Sequence, residues 1–196
     1  PTVFLTGEIS THSITYDTNA QKVVVAYRDN SNSSYGTAIV GTVSGTSISF
    51  GSSTVFESAS IDWPSAVYEP NAQKIVITYN DGGNSNYGTA IVGTVSGTSI
   101  SFGSAVVFES AGSYYNSAVY DALAKKVVIA FRGTSNYGRV VSGTVSGTSI
   151  SFDSPFTFNS NTSNTTAAVY DINAERVAIA YQDNGNSSYG TGIVYK

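Results

Sequence analysis

The chain has 196 residues, with 41% hydrophobic and 11% charged side chains and a formal net charge of −4. It is too apolar for a disordered chain, and its acidic balance (pI about 4.8) excludes the basic footprint of a nucleic-acid binder and argues against an anionic membrane surface as partner. With no cysteine and one histidine, His12, disulfide frameworks, thiolate metal sites, cysteine nucleophiles and multi-histidine metal centres are excluded too.

The opening segment, Pro1–Ser10, shows neither the basic nor the apolar region of a secretory leader. No window approaches the run of about 18 apolar residues that a membrane helix needs, so no membrane insertion is expected. From Phe4 onward the sequence repeats. Phe4, Phe56, Phe108 and Phe158 lie 52, 52 and 50 residues apart. Each is followed by a tyrosine and an acid: Tyr16-Asp17, Tyr68-Glu69, Tyr120-Asp121 and Tyr170-Asp171. Tyr27, Tyr79, Phe131 and Tyr181 come next, and GTVSGTSISF recurs at Gly41–Phe50, Gly93–Phe102 and Gly143–Phe152. Four copies therefore fill one domain, residues 1–196, with boundaries near 2–53, 54–105, 106–155 and 156–196. The third is shortened in the loop after Phe131.

Each copy predicts four strands, rich in Val, Ile, Tyr, Phe and Thr. Strand A is short, as in Ser65–Tyr68. A turn of the form acid-x-x-Ala-x-base leads to strand B, a continuous apolar run at Lys22–Tyr27, Lys74–Tyr79, Lys126–Phe131 and Arg176–Tyr181. Strand C is Gly36–Val43 and its equivalents. A Ser-Gly hairpin signal, Ser44-Gly45 in the first copy, then opens strand D, Ser47–Phe56. Strand B is apolar on both faces although its neighbours are antiparallel, so both faces of each sheet need cover. Neighbouring copies supply it if four-stranded sheets stack around an axis. The expected fold is thus all-β: a four-bladed β-propeller of four-stranded antiparallel blades, closed by the N-terminal strand. A β-sandwich leaves so regular a repeat unexplained. The fourth copy reaches only Tyr189–Lys196, so closure calls on Thr2-Val3-Phe4 to pair beside its strand C. Ten of the eleven positions corresponding to Val43–Ser53 are missing there. A partly unpaired edge is expected, taken by a strand of another copy or belonging to a longer repeat array.

Comparison of the copies separates two faces. The A–B and C–D turns are nearly uniform. The D–A loops diverge, which marks them as the place for contacts. Trp63, Tyr114 and Tyr115 each occur in one copy only, so the scaffold does not require them. With Asp62 and His12 they form the expected ligand-binding set, aromatics with polar tips being favoured at interfaces. The acids Asp17, Glu69, Asp121 and Asp171 each open a hairpin, where an Asx-type turn explains them without catalysis. The segment Asp81-Gly82-Gly83-Asn84-Ser85-Asn86-Tyr87 and its copies resemble the Asp-box hairpin of sialidase-like propellers, with the aromatic one residue late and the acid absent from the third copy. Such boxes staple hairpins. A sialidase-type hydrolase needs clustered arginines, and Arg28, Arg132, Arg139 and Arg176 are scattered. No nucleophile elbow, phosphate loop or metal-ligand spacing exists, so no enzyme activity, metal or cofactor is expected.

The repeats YGTAIVGTVSGTSISFG and the flanking VVVAYRDNSNSSYG resemble tandem-repeat β-propeller proteins of marine phages and bacteria, over nearly the whole chain. In that group such blades occur in tail-fibre or other large surface proteins. The resemblance implies a virion or extracellular location and a role in adhesion: binding a glycan or host-surface molecule through the variable face. The alternative it leaves is a structural scaffold, assembling as a homo-oligomer or within a larger fibre.

Overall fold

The computed structural model describes residues 1–196. Unit 1 (residues 2–53) holds β1 (Ile9–Asp17), β2 (Lys22–Asp29), β3 (Tyr35–Ser44) and β4 (Ser47–Phe50). Unit 2 (54–105) holds β5 (Thr54–Glu69), β6 (Lys74–Asp81), β7 (Tyr87–Ser96) and β8 (Ser99–Phe102). Unit 3 (106–155) holds β9 (Val106–Gly112), β10 (Tyr114–Asp121), β11 (Lys126–Arg132), β12 (Tyr137–Ser146) and β13 (Ser149–Phe152). Unit 4 (156–196) holds β14 (Phe156–Asp171), β15 (Arg176–Asp183) and β16 (Tyr189–Tyr195). The fold is all-β, and every pairing is antiparallel. Hydrogen bonds join β1 to β9 into a nine-stranded sheet and β10 to β16 into a seven-stranded one.

Each of these sheets is two repeats sharing a strand. The first part of β5 pairs with β3, and from Ile61 onward it pairs with β6. β14 serves β12 and β15 in the same way. The D–A segments expected as loops are therefore strands that pass from one repeat to the next. Strand D, expected as one run over Ser47–Phe56, is divided. β4 pairs with one end of β3 and β5 with the other, and residues 51–53 between them form no strand. The break falls where the next unit's hairpin approaches. A Cβ on Gly51 would lie 2.0 Å from the Thr98 carbonyl oxygen, and one on Gly103 would lie 1.9 Å from that of Thr148.

The core lies between consecutive units, as the two-sided strand B requires. Each unit offers a face of small side chains, here called trailing, to the larger leading face of its successor. Val24, Ala26, Ala38 and Val40 of unit 1 receive Ile75, Ile77, Tyr79 and Ile91 of unit 2. Val76, Ala90 and Val92 then receive Val127, Ile129 and Phe131, and Val128, Ala130 and Val140 receive Val177, Ile179 and Tyr181. Each isoleucine so covered contributes about 1.5–3 kcal/mol. The small strand-A residues do more than fit a crowded position. The Ser13, Ser65 and Ser117 hydroxyls accept hydrogen bonds from the backbone N–H groups of Ala66, Ala118 and Ala168 in the next unit, at 3.0, 3.0 and 2.9 Å.

The expected closure by the N-terminal strand is not formed. β16 pairs with β15 alone, and residues 1–8 form no strand. Phe4 stacks on Tyr27 and Phe50 of its own unit, at 5.4 and 5.3 Å between ring centroids. Phe56 makes the same pair of contacts with Tyr79 and Phe102 at 5.3 and 5.6 Å. The seat for this aromatic thus belongs to the unit that follows it, and that seat holds the N-terminal segment on unit 1. The trailing face of unit 4 stays open, with Val169 60% and Val194 67% exposed.

Candidate functional site

The polar turns come first, because they account for most of the acids. Asp17 Oδ1 accepts from the N–H groups of Asn19 and Ala20 at 2.9 and 2.8 Å. Glu69, Asp121 and Asp171 do the same for their own turns. The backbone N–H groups of Ala174 and Asn173 hold the exposed Asp171 carboxyl below its ordinary range. Asp29, Asp81 and Asp183 staple the B–C hairpins, accepting from Ser31, Gly83 and Gly185 N–H. These carboxylates are occupied by their own backbone, as the hairpin reading expects.

The opposite end of the sheets carries the divergent residues, on a row of β-bulges. The register between strands A and B shifts between Asp62 and Ser65, between Tyr114 and Ser117, and between Asn164 and Ala167. Trp63, Tyr115 and Thr165 occupy the equivalent bulge position, with φ of 47°, 54° and 48°. Left-handed backbone is an outlier for side chains of this bulk and costs about 1–3 kcal/mol per residue. The bulge turns Trp63 of unit 2 toward unit 3. There it meets Tyr114 edge-on at 5.1 Å and Tyr115 at 5.6 Å. The Asn116 side-chain amide donates to the Trp63 carbonyl at 3.2 Å, and the Thr166 hydroxyl donates to that of Tyr115.

The structure brings Trp63, Tyr114 and Tyr115 together as one half-buried cluster. Asp62 lies beside it in sequence but is paired with Arg28 of unit 1, Nη1 to Oδ1 at 2.8 Å. His12 does not join the cluster. It is exposed, with Nδ1 3.2 Å from the Ser10 carbonyl oxygen.

Arg132 was not on the expected set. Its Cζ lies 4.6 Å from the Tyr114 ring centroid and 5.0 Å from that of Tyr115. Its Nη1 donates to Asn164 Oδ1 at 2.6 Å, which carries the row into unit 4. Counting back along the A–B hairpin brings Arg132 opposite Tyr115, and the bulge moves its partner to Tyr114, so the register points to the tyrosine pair though not to the exact partner. Arg28, Asn80 and Arg132 stand at equivalent positions near the ends of their strands. All three reach toward the following unit: Arg28 to Asp62, Asn80 to the Ser113 carbonyl at 3.1 Å, and Arg132 to Asn164.

Chemically this is a ledge, not a cleft. No cavity opens at the aromatic cluster; the concavities lie on unit 4 and beside Glu69, Asn71 and Lys125. A tyrosine–acid pair does exist elsewhere, with Tyr79 Oη donating to Glu57 Oε2 at 3.2 Å. Tyr79 is fully buried under Phe56, and that burial pushes its phenol far above the ordinary range, which suits packing and not nucleophilic attack. In unit 3 the corresponding residue is Phe131, without a hydroxyl, and Glu109 is instead paired with Arg139 at 3.2 Å. No group of three or more His, Asp or Glu side chains is placed to hold a metal ion. No helix is long and apolar enough to cross a membrane. The sequence matches no protein-family model and no curated protein sequence.

Proposed function

We propose that the four units are blades of a β-propeller and that the chain is a non-enzymatic recognition module of a virion or extracellular surface protein. Its ligand is a glycan or another hydroxyl-rich host-surface molecule, laid on the bulge ledge. The observation that carries this reading is the cluster of Trp63, Tyr114, Tyr115 and Arg132. Three of its four members occur in one copy each, and two of them, Trp63 and Tyr115, sit on strained backbone. Half-buried aromatic rings beside a guanidinium suit a pyranose, whose C–H face stacks on one ring while hydroxyl or carboxylate groups take Arg132 N–H groups. The propeller reading is supported by the four similar units, packed in series through equivalent faces, with the repeat period set by the sequence.

The test is a glycan array probed with the parent chain and with the triple variant Trp63→Ala, Tyr114→Ala, Tyr115→Ala. Binding by the parent and at least tenfold weaker binding by the variant, with thermal stability nearly kept, supports the reading. A loss of stability equal to that of a core substitution would make the three residues packing groups. The scaffold reading rests on a separate observation, the open face and edge of unit 4.

A further inference from the structure

We propose that a second copy of this chain docks on unit 4, placing its unit 1 where a following unit would stand. The three internal junctions define what such a site looks like, and unit 4 displays one with its occupant missing.

The clearest sign is Gly190. In units 1 to 3 the equivalent glycine is a seat for an aromatic ring: a Cβ would lie 2.5 Å from the Phe56 ring at Gly36, 2.6 Å from Phe108 at Gly88 and 2.3 Å from Phe158 at Gly138. At Gly190 nothing lies within 4 Å. The glycine is kept and the ring is absent. Phe4 is the one repeat phenylalanine with no preceding unit to seat it. It already lies on Tyr27 and Phe50 as Phe56 lies on Tyr79 and Phe102. A second copy therefore presents its Phe4 in place, and Thr2–Leu5 can pair along the free edge of β16 as Thr54–Glu57 pair along β3.

Face chemistry agrees. The trailing face of unit 4 is smaller than its counterparts. Ala178 stands where Val24, Val76 and Val128 stand, and Gly192 where Ala38, Ala90 and Val140 stand. The leading face of unit 1 carries Ile14 where its counterparts have Ala66, Ala118 and Ala168, and Ile14 is 61% exposed. A larger residue thus faces a smaller surface, and a small-on-small contact between two unit 4 faces would leave voids. The centre of the unit 1 face, Val25 and Ile39, is already covered by Phe4, Leu5 and Ile9, so the new contact falls on its Ile14 rim and on the Phe4 strand. One internal feature is lacking: Ala167 replaces the serine whose hydroxyl would accept from the next unit. The contact joins unlike surfaces, so it closes into a ring or grows as an array.

Sedimentation velocity on the 20.4 kDa chain over a wide concentration range tests this. The parent is expected to form multiples of its mass as concentration rises. Gly190→Val fills the empty ring seat without touching anything in the single chain, so it should stay monomeric with unchanged thermal stability. Ala167→Ser restores the hydroxyl and should tighten association about fivefold. A parent that stays monomeric throughout, a Gly190→Val variant that associates like the parent, or an Ala167→Ser variant with unaltered affinity would each overturn the proposal.

Discussion

Units 2 and 4 share one strand pattern but not one environment. In unit 2 both sheet faces are covered, and Val76, Ile77 and Val92 lie fully inside. In unit 4 the leading face is covered, with Val177 and Ile179 buried, while Val169 and Val194 on the trailing face stand largely in solvent. Tyr87 of unit 2 pairs opposite Gly112 and is half-buried, whereas its equivalent Tyr189 has no edge partner and is 62% exposed. The repeat motif alone therefore does not make a residue core. The next unit does.

Substitutions at matched positions sharpen that contrast, when measured by denaturant unfolding of the dilute single chain. The largest difference is expected for Gly88→Val against Gly190→Val. The first drives a side chain into the Phe108 ring and Ser113 and should cost about 3 kcal/mol. The second meets open space and should cost about 0.5 kcal/mol or less. Equal losses would mean that the edge of unit 4 is covered in the monomer. Val92→Ala against Val194→Ala comes next. The buried member should lose about 2 kcal/mol and the exposed one a few tenths.

The smallest effect concerns pH. Burial, the largest cause in each case, raises Glu57, Asp81 and Glu109 above the ordinary carboxylate range. A carboxyl raised in the folded state contributes stability that is fully present below its unfolded pKa and is lost as pH rises through the folded value. Asp171 of unit 4 is lowered, so its contribution is present above its unfolded pKa and is lost as pH falls through the folded value. The melting temperature should therefore rise slightly as pH falls from neutral toward the ordinary carboxylate range and turn down below about pH 4. In Glu57→Gln the rise should flatten; a slope identical to the parent's would mean that Glu57 stays ionised through that range.

Local pairing was legible in the sequence, and its continuation between copies was not. The hairpins at Asp17, Glu69 and Asp121 and the apolar strand B announce themselves, because turn chemistry and two-sided hydrophobicity leave few alternatives. The passage from Ser58 to Pro64 reads as a loop: Ser58, Ser60 and Asp62 are polar, and nothing in the residue type says that Trp63 will take a left-handed bulge inside a strand. The aromatic site was half visible. Uniqueness among the copies picked out Trp63, Tyr114 and Tyr115. Arg132 shares its position with Arg28 and so reads as part of the repeat, and His12 lies in a divergent segment with no contact that holds it at the cluster. Closure by the N-terminal strand is the other departure: Phe4 rests on Tyr27 and Phe50 of its own unit, and residues 1–8 form no strand.

The strands β5 and β14 each belong to two sheets, whereas the passage from β9 to β10 is interrupted at Ser113. A shared strand cannot leave one sheet without fraying the other, so units 1 and 2 should open together, and so should units 3 and 4. Between the pairs the strand itself is broken at Ser113, and the halves are joined by the pairing of β9 with β7, by the hydrogen bond from Ala118 N–H to the Ser65 hydroxyl and by the packing of Phe108 and Phe131. The chain thus counts in fours by sequence and in twos by strand continuity, with the break at Ser113 beside the ledge where Trp63 of one half leans on Tyr114 of the other.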